Sequence, residues 1–318
     1  MELRHGLTVS IVTYNTWDRT AECIHSLLAQ RGQQEFEILI YDNGRGSYSG
    51  PDLPSNVRIT KGETNVGFGA GHNKNLEVAA FDTFVVLNPD VTVELTTLAS
   101  LREVIQEDAA IVAAAPILIY PDGSEQLSFR KFPNVRTEIA RVVGADRQPG
   151  GSWSTLVPMK PGRGLVDVEQ PAGAVLAVDT ATLTELKGFD TDFPMYFEDV
   201  DLCTRLCRLG RVVAVRSLLA KHDGEGTAKK YRTATTFWIE NSRQRYHRKF
   251  SVGVQGKITL AAAYASCVTH MLGTAAAGLL RRDGSRQALL SKSQGYAFAL
   301  IAAVAGSESY WKSRFLGK

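Results

Sequence analysis

The chain has little cysteine, and its four cysteines fit no disulfide framework: Cys23, Cys203, Cys207 and Cys267. Cys203 and Cys207 form only the i, i+4 pair of a helix face. A secretory signal is also lacking, because the apolar run Leu7–Val12 is too short for its hydrophobic core and has the composition of a strand. We therefore expect a protein of a reducing compartment, the cytoplasm.

Net charge is nearly balanced at +3 over 318 residues, but it is unevenly distributed. Residues 241–318 contain twelve Lys or Arg and two acidic residues, a net of +10, whereas residues 1–240 contain 24 basic and 31 acidic residues, a net of −7. This asymmetry predicts two regions with different partners. A hydrophobic content of 44% excludes a disordered chain and permits a full core.

The basic C-terminal region contains Ile258–Leu280, 23 residues without Lys, Arg, Asp or Glu. The segment is long enough to span a membrane, but Ala, Gly, Ser, Thr and His270 dilute its apolarity, so spanning and surface association both stay open. Basic residues flank the apolar stretches, as expected for helices on an anionic bilayer surface: Arg243, Arg245, Arg248, Lys249, Arg281, Arg282, Arg286 and Lys292. Nucleic acid is the competing partner, but no nucleic-acid module is recognisable, and we expect none.

Strand-like and helix-like segments alternate through the first half, which predicts an α/β fold with a doubly wound, mostly parallel sheet. The predicted strands are Leu7–Thr13, Phe36–Tyr41, Val57–Thr60, Thr83–Leu87, 111–119, Val175–Val178 and Arg211–Val215. The predicted helices are Thr16–Gln30, Gly71–Phe81 and most of the chain after Thr235. We expect a catalytic domain over 1–234 and a helical, basic region over 235–318. Ligands of such sheets bind beyond the carboxyl ends of the strands, where Tyr14, Asp42 and Asp90 fall.

An acidic cluster follows in the segment Phe193–Cys203, where three carboxylates stand among aromatic and aliphatic residues. Glu198, Asp199 and Asp201 cannot share one face of a helix. At least one of them is expected to face a pocket, where a carboxylate near apolar groups can act as a general base. The alternative is an acidic first turn that is favoured by the helix dipole.

A glycine-rich loop spans Asn65–Asn73, and its glycines would allow backbone amides to approach a pyrophosphate at a helix N-terminus. A dinucleotide-binding fingerprint fails here, because His72 stands where its third glycine would fall and the loop follows the third strand instead of the first. A plain turn is the other interpretation.

Asn88-Pro89-Asp90 places a carboxylate just beyond a buried strand, where oxygen ligands and substrate phosphates can hold Mg²⁺ or Mn²⁺. The same tripeptide is also an ordinary turn. His222 opens the polar segment Lys221–Lys230 and is either a surface residue or the partner of Asp90 in a mixed carboxylate and imidazole site.

Taken together and in this order, these segments resemble the family 2 glycosyltransferases of the GT-A fold, and in particular the bacterial rhamnosyltransferase-like enzymes of cell-surface polysaccharide synthesis. The resemblance covers about residues 7–225. It is carried by Val9–Asn15, Asp42-Asn43, Asn65–Asn73, Leu87–Val91, Gly173-Ala174, Gly188–Asp190 and Tyr196–Arg205.

The resemblance implies that Thr13, Tyr14 and Asp42 meet the base and ribose of the nucleotide and that Asp199 deprotonates the acceptor hydroxyl. It also implies that Asp90 and His222 hold a divalent metal, Mn²⁺ or Mg²⁺, against the diphosphate. The other residues expected to bind the nucleotide sugar are Asn15, Asn65, Gly67, Phe68, Gly69, Asn73, Asn88, Gly173 and Glu198.

Two residues depart from the family pattern. Asn88 stands where many relatives carry the first aspartate of an Asp-x-Asp motif, and Asn75 stands where the glycine-rich loop often has another glycine. The first departure concerns metal affinity and the second concerns the geometry of the loop.

The implied activity is an inverting, single-displacement transfer of a sugar to a glycan or lipid-linked oligosaccharide, at the cytoplasmic face of the inner membrane. The segment Ser128–Pro133 looks like one in rhamnosyltransferase-like relatives and suggests dTDP-L-rhamnose, although it can equally be a basic loop covering the sheet edge. Another dTDP- or UDP-sugar is the alternative donor. A retaining reaction would need a second carboxylate, for which Glu198 is the one candidate.

Two other functions compete with this activity. A catalytically degenerate sugar-nucleotide-binding subunit would explain Asn88. A sugar-1-phosphate nucleotidylyltransferase would need a glycine-rich loop after the first strand, and Thr13–Trp17 offers none.

Overall fold

The computed structural model describes residues 3–30, 35–224 and 231–305. The chain divides into two compact units. The sheet unit comprises residues 1–131, 157–194 and 198–224, and the helical unit comprises 132–156, 195–197 and 225–318. Residues 132–156 thus group with the C-terminal helices, and the domain boundary expected after residue 234 stays a prediction.

The described strands are β1 Arg4–Thr13, β2 Phe36–Asp42, β3 Val57–Lys61, β4 Phe81–Leu87, β5 Val91–Val93, β6 Ile111–Ile119, β7 Phe129–Arg130, β8 Leu156–Val157, β9 Leu165–Asp167, β10 Gln170–Pro171, β11 Val175–Asp179 and β12 Arg211–His222. The described α-helices are α1 Trp17–Leu28, α2 Phe68–Leu76, α3 Thr97–Glu107, α4 Val135–Val143, α5 Thr180–Glu185, α6 Glu198–Leu206, α7 Arg232–Phe250, α8 Gly253–Leu280 and α9 Ser285–Ala305.

The main sheet is mixed but mostly parallel, with the order β3-β2-β1-β4-β11-β6-β12-β5 and with β9 paired to β12. Strands β1 to β4 and the pair β6 and β12 run in one direction, whereas β11 lies antiparallel between β4 and β6. Strands β5 and β9 also pair antiparallel with β12.

Helices cover both faces of this sheet. On one face, strand residues such as Ile11, Ile40 and Leu87 share a buried core with Ile24 of α1 and Leu101 of α3. Alternate residues of the same strands point to the other face, since successive side chains of a strand point in opposite directions. Helix α2 contacts β1 and β2 on that other face. The doubly wound arrangement expected from the sequence therefore forms.

Helix α2 is held to the sheet by a buried polar cluster. The side-chain amide of Asn75 donates to Ser10 Oγ at 2.9 Å and to the carbonyl oxygens of Ile11 and Leu39 at 3.3 and 2.9 Å. Ser10 Oγ lies 2.7 Å from His72 Nδ1, and burial lowers the pKa of His72 to about 3, so the ring is neutral. The amide therefore ties one helix to two strands.

Two boundaries differ from the sequence-based expectation by more than three residues. The helix predicted over Gly71–Phe81 is wrong at its C-terminal end, because α2 ends at Leu76 and Phe81 already begins β4. Asn75 consequently lies in a helix and does not shape a loop. The strand predicted to end at Val215 continues to His222 after an irregularity between Val215 and Leu219, since pairing with β6 resumes there. His222 thus ends a strand, and residues 225–230 of the predicted loop lie outside the described residues.

The helical unit buries a network of charges between α4 and α7. His247 Nε2 lies 3.1 Å from Glu138 Oε1, Arg243 Nη1 lies 3.7 Å from Glu138 Oε2, and Arg243 also contacts Glu240. Helix α8 packs against α4, α7 and α9 within this unit. Burial lowers the pKa of Arg243 to about 10, and its charge needs these carboxylates because an unpaired buried ion is costly.

Asn75→Ala is expected to lower the free energy of unfolding by about 1–3 kcal/mol, because it leaves buried acceptors without their donor. Urea denaturation of the purified protein measures the change. Lys74→Ala is the control: this side chain lies on the same helix, is half-exposed and forms a surface ion pair with Glu77, so the urea midpoint should hardly move. Equal midpoints for the two variants would contradict the role assigned to Asn75.

Candidate active site

The topology gathers several predicted site segments at one edge of the sheet. The parallel strands β1, β2 and β4 all end at this edge. Strand β11 starts there, because it runs antiparallel with Val175 opposite Leu87. The Asn88 amide donates to the Ala174 carbonyl at 2.9 Å, which brings the Asn-Pro-Asp turn next to Gly173.

Asp199 lies at this edge and is held by three hydrogen bonds. Its Oδ2 accepts from Gln170 Nε2 at 2.9 Å and from the Gly173 amide at 3.2 Å, and its Oδ1 accepts from the Val200 amide at 2.8 Å. Gly173 lies close to this side chain, since a Cβ atom added to it would come within 3.1 Å of Asp199 Cβ. The carboxylate therefore has a fixed orientation.

The neighbouring carboxyl group, Glu198, is in a different electrostatic environment. Its side chain is 8% exposed, and Oε2 has no hydrogen-bond partner among the described residues. Burial and the charge of Asp199 raise the pKa of Glu198 well above its usual value. Burial also raises the pKa of Asp199, but the amides of Gly173 and Val200 and the charge of Arg130 oppose this. The ionised form of Asp199 is thus favoured by two backbone amides and a cation, whereas the ionised form of Glu198 is opposed by the charge of Asp199.

The third carboxylate of the cluster, Asp201, has a structural role. It is fully buried, and its Oδ2 accepts from Arg205 Nε at 2.8 Å. Arg205 also donates to the carbonyl oxygens of Leu186 and Gly188 at 3.0 and 2.9 Å. Asp201 thus faces the interior and pairs with Arg205, which holds the turn after α5, whereas Asp199 lies at the sheet edge.

The backbone just before α6 is unusual. Tyr196 and Phe197 have φ angles of 62° and 67°, in the left-handed region that non-glycine residues rarely adopt. Such conformations cost free energy and cluster at functional sites. Both residues immediately precede the carboxyl groups of Glu198 and Asp199.

The predicted pair of Asp90 and His222 is close in space. His222 Nε2 lies 3.3 Å from Asp90 Oδ1 and 3.3 Å from Asn88 Nδ2, and His222 Nδ1 lies 2.8 Å from Gln126 Oε1. Strand pairing produces this arrangement, because β12 places His222 opposite Val91 of β5. When Nδ1 donates to Gln126, Nε2 is the ring nitrogen that faces Asn88 and Asp90.

Cationic side chains surround Asp90. Arg19 Nη1 lies 3.6 Å from Asp90 Oδ2 and 3.4 Å from Asp223 Oδ2. Burial raises the pKa of Asp90, but the hydrogen bond and charge of His222 and the charge of Arg19 outweigh it and hold the pKa below its usual value. A cavity of about 180 Å³ adjoins Asp90, Arg19 and Lys221.

Asp90 and His222 fit a divalent cation by their donor atoms. An ionised carboxylate oxygen and a neutral imidazole nitrogen are ligands of Mn²⁺ and, less commonly for nitrogen, Mg²⁺. Within the described ranges, no three His, Cys, Asp or Glu residues are grouped so as to hold a metal ion. A cation at this position would therefore take its remaining ligands from phosphate oxygens, water or the Asn88 side chain.

The glycine-rich loop is held by Asn43. Its side chain donates to the Gly67 carbonyl at 2.9 Å and accepts from the Val66 amide at 3.0 Å. Gly67 has φ +95°, and its amide donates to Asn65 Oδ1 at 3.0 Å, while the Phe68 amide donates to Pro194 O at 3.3 Å. These amides bond to protein oxygens, so the loop geometry does not depend on a bound phosphate.

Helix α2 packs closely on the turn that contains Phe189. A Cβ atom at Gly69 would come within 2.8 Å of Phe189 Cβ. The side chain of Asn73 donates to the Phe189 carbonyl and accepts from the Phe189 amide, both at 2.8 Å. The nitrogen and the oxygen of the Asn73 side-chain amide thus both bond to the protein. Its contact with a nucleotide sugar stays a prediction.

The residues predicted to meet the nucleotide base and ribose differ in exposure. Tyr14 is 42% exposed, whereas Thr13 is fully buried and its hydroxyl lies 2.9 Å from that of Thr20. Asp42 is almost fully buried and accepts from Lys61 Nζ at 2.7 Å and from the Gly44 amide at 2.8 Å. Asn15 has φ 56° and accepts from the Arg45 amide. Of Thr13, Tyr14 and Asp42, Tyr14 therefore offers the most accessible surface.

Sequence reasoning missed four partners of the predicted residues: Arg19 beside Asp90, Lys61 beside Asp42, Gln126 beside His222 and Gln170 beside Asp199. Each lies on a different element from its partner, and none belongs to a local motif. The one available signal is weak, since Gln170 closely precedes Gly173, which the family resemblance already marked.

Comparison with known families identifies the class of protein. Residues 8–157 match the family model described as Glycosyl transferase family 2. The resemblance to family 2 glycosyltransferases inferred from the sequence is therefore confirmed over these residues.

Similar curated proteins are rhamnosyltransferases. The chain is 27% identical over 224 residues to N-acetylglucosaminyl-diphospho-decaprenol L-rhamnosyltransferase of Mycobacterium tuberculosis, an alignment covering 64% of this chain and 71% of the relative. It is 26% identical over 193 residues to Rhamnosyltransferase WbbL of Escherichia coli K12, which covers 56% and 70% of the two chains.

Solved structures with a similar fold are glycosyltransferases of the GT-A type. The mannosyltransferase PcManGT from Pyrobaculum calidifontis, in complex with GDP-Man and Mn²⁺, has a TM-score of 0.54 and 13% identity over 96% of this chain and 90% of its own. GalNAc-T7, solved with UDP, GalNAc and Mn²⁺, has a TM-score of 0.56 and 12% identity over 98% and 58%. The predicted fold class, GT-A with a helical C-terminal region, is confirmed.

Proposed function

We propose that this protein is an inverting glycosyltransferase in which Asp199 removes the proton from the acceptor hydroxyl. The observation that carries the proposal is the geometry of Asp199, a carboxylate fixed by three hydrogen bonds at the ligand-binding edge of a family 2 glycosyltransferase domain. A fixed, ionisable carboxylate with a raised pKa suits a general base, which works best when its pKa approaches the working pH.

In the proposed reaction, the acceptor oxygen attacks the anomeric carbon of the donor while Asp199 takes the hydroxyl proton. The bond from the anomeric carbon to the diphosphate oxygen breaks, and the nucleoside diphosphate leaves with the electron pair. A single displacement inverts the configuration at this carbon. A retaining reaction would need Glu198 as an ionised nucleophile, and its raised pKa disfavours that form.

Asp90 and His222 would hold a divalent cation, Mn²⁺ or Mg²⁺, with Asn88 beside them. When bound, such a cation neutralises negative charge that develops on the departing diphosphate. Arg19 and Lys221 place further positive charge beside Asp90. Support comes from the donor chemistry of the pair and from the Mn²⁺ in the solved glycosyltransferases of similar fold.

The proposed donor is dTDP-L-rhamnose, and the proposed acceptor is a lipid-linked glycan. Both the mycobacterial and the E. coli relative are named as L-rhamnosyl- or rhamnosyltransferases, and the first name specifies a decaprenol-linked acceptor. Another dTDP- or UDP-sugar is the alternative donor. Release of dTDP from dTDP-L-rhamnose, compared with release of UDP from UDP-hexoses, tests the choice directly.

The proposed membrane contact is a surface of α8. Among the described helices, Gly253–Leu280 alone is long and apolar enough to cross a membrane by length and composition. Its other side packs within the helical unit, and its exposed side carries apolar residues at helical spacing: Val254, Ile258, Ala261, Ala265, Val268, Leu272, Ala276 and Leu279. We call these eight residues the α8 stripe. Exposed Lys257, Arg281, Arg282 and Arg286 border it.

This combination of an apolar stripe with a basic border is typical of a helix that lies on an anionic membrane surface. The protein would then be peripheral, at the cytoplasmic face of the inner membrane, where a lipid-linked acceptor is accessible.

Asp199→Asn is expected to reduce kcat by about 10²–10⁴ while donor affinity stays nearly normal, because the base acts only when the acceptor proton moves. Release of nucleoside diphosphate in the presence of acceptor measures kcat. Calorimetry measures the affinity for the nucleotide. Glu198→Gln is the paired variant and should retain more turnover. Near-normal turnover of Asp199→Asn would assign the base elsewhere, and a wild-type protein that binds nucleotide sugar without turnover would favour the degenerate binding subunit.

Asp90→Ala and His222→Ala should each weaken nucleotide affinity in Mn²⁺ and much less in EDTA, because both are proposed to act through the cation. Asn88→Asp should be tolerated or should strengthen Mn²⁺ binding. Isothermal titration with and without EDTA measures these changes. Wild-type activity that survives EDTA unchanged would sink the metal proposal.

The protein is expected to co-sediment with anionic liposomes at low salt and to dissociate at high salt or in alkaline carbonate. Each Lys or Arg near an anionic surface contributes about 1 kcal/mol, and salt screens this attraction. Arg281→Glu combined with Arg282→Glu should weaken binding, as should Leu272→Asp in the α8 stripe. Retention after alkaline carbonate would show a membrane span, and indifference to anionic lipid would assign the α8 stripe to a protein partner.

A further inference from the structure

We propose that Gln170 is a positioning residue for Asp199, which it holds in one orientation and in its ionised form through the hydrogen bond from Nε2 to Oδ2. The inference rests on the proposed function, since it assumes that Asp199 is the base. It concerns a residue outside the glycine-rich, Asn-Pro-Asp and acidic segments that carry the family resemblance most directly.

Gln170 is itself firmly placed. Its backbone lies in β10, which pairs antiparallel with β7 so that Gln170 stands opposite Arg130. The Ala172 amide donates to the Ser128 carbonyl at 2.7 Å and continues this pairing. The Gln170 side chain is 3% exposed, so it has little freedom to choose other partners.

The orientation of the Gln170 amide follows from its neighbours. Nε2 lies 2.9 Å from Asp199 Oδ2 and 3.3 Å from the Pro171 carbonyl oxygen, so two acceptors face the same atom. An NH₂ group has two hydrogens and can serve both. Exchanging the amide nitrogen and oxygen would place three acceptor oxygens together, which is electrostatically unfavourable.

These bonds make the two oxygens of Asp199 unequal. Oδ2 accepts from Gln170 and Gly173, which occupies its two lone-pair directions, whereas Oδ1 accepts from the backbone amide of Val200. Because both lone-pair directions of Oδ2 are taken, Oδ1 is the oxygen left for a substrate hydroxyl. Gln170 contributes to catalysis by leaving Oδ1 as the oxygen that takes the proton.

The surroundings of Asp199 both favour and oppose its ionised form. Glu198 and Cys203 lie on α6 with it, and Arg130 of β7 is the cation that stabilises its ionised form. Burial favours the neutral acid. A hydrogen-bond donor to the carboxylate favours the ionised form, and Gln170 supplies this without adding a charge.

The test is the pH dependence of kcat/KM for the acceptor in wild type, Gln170→Leu and Gln170→Glu. A base is inactive when protonated, so activity falls below its pKa. Loss of a donor raises that pKa and moves the acid limb to higher pH, by about one to two pH units in Gln170→Leu. Gln170→Glu should move it further, because two adjacent carboxyls titrate as a coupled pair. Turnover at neutral pH should fall by about tenfold or more.

Asp201→Asn is the matched control. Asp201 lies two residues from Asp199 on the same helix and bonds to Arg205, so this variant should unfold more easily while its acid limb stays at the wild-type pH. Repeating Gln170→Leu in a Glu198→Gln background removes the titration of Glu198. The acid limb of kcat/KM should still move to higher pH. Nucleotide affinity should be unchanged in both Gln170 variants, which shows that the site is intact.

An acid limb that stays at the wild-type pH in a nucleotide-binding Gln170 variant, while Asp199→Asn is inactive, would overturn this inference and leave the proposed function standing. An active Asp199→Asn protein would overturn the proposed function instead. If Gln170→Leu does not fold, Gln170→Glu decides, since it preserves the shape of the side chain. A Gln170→Glu protein that binds no nucleotide would also count against the inference, because it would assign Gln170 to stability.

Discussion

The antiparallel strand β11 is the constraint on which the candidate active site depends. It is hydrogen-bonded between β4 and β6, whose own direction is parallel to the rest of the sheet. Because it runs in reverse, its first residues lie at the carboxyl edge of the sheet, where ligands of α/β folds bind. Gly173 precedes it there and donates to Asp199, and the Ala174 carbonyl holds the Asn88 turn. One strand direction therefore connects the proposed base with the proposed metal-binding turn.

Around this edge, the protein separates the functions of chemically similar residues by their environment. Glu198 and Asp199 are adjacent in sequence, but only Asp199 receives donors on both oxygens. Asp201, two residues on, is neutralised by Arg205 inside the fold. Three carboxyl groups within four positions thus occupy three environments: a buried carboxyl with one oxygen unpartnered among the described residues, a carboxylate with three hydrogen-bond donors, and a structural ion pair. The cause is the position of hydrogen-bond donors, which burial makes decisive.

Local patterns predicted the elements well where periodicity and turn residues agree. The β-branched runs of β1 and β4 and the apolar run of β6 were located within three residues at their ends. Prediction of element ends failed where pairing between strands decides where an element begins or ends. Helix α2 ends at Leu76, although no strong stop signal precedes Phe81, because β4 must begin there to pair with β1. Strand β12 continues past Val215 because β6 offers it further partners.

The sequence by itself determined the α/β alternation, the resemblance to family 2 glycosyltransferases and the uneven distribution of acidic and basic residues, because these depend on composition and on residues close together in the chain. It also marked Asp90, His222 and Asp199 as candidates through the family pattern. The partners of these side chains were decided by the tertiary structure alone. Gln126, Arg19 and Gln170 come from different elements, and their positions follow from strand order and register, which no local pattern encodes.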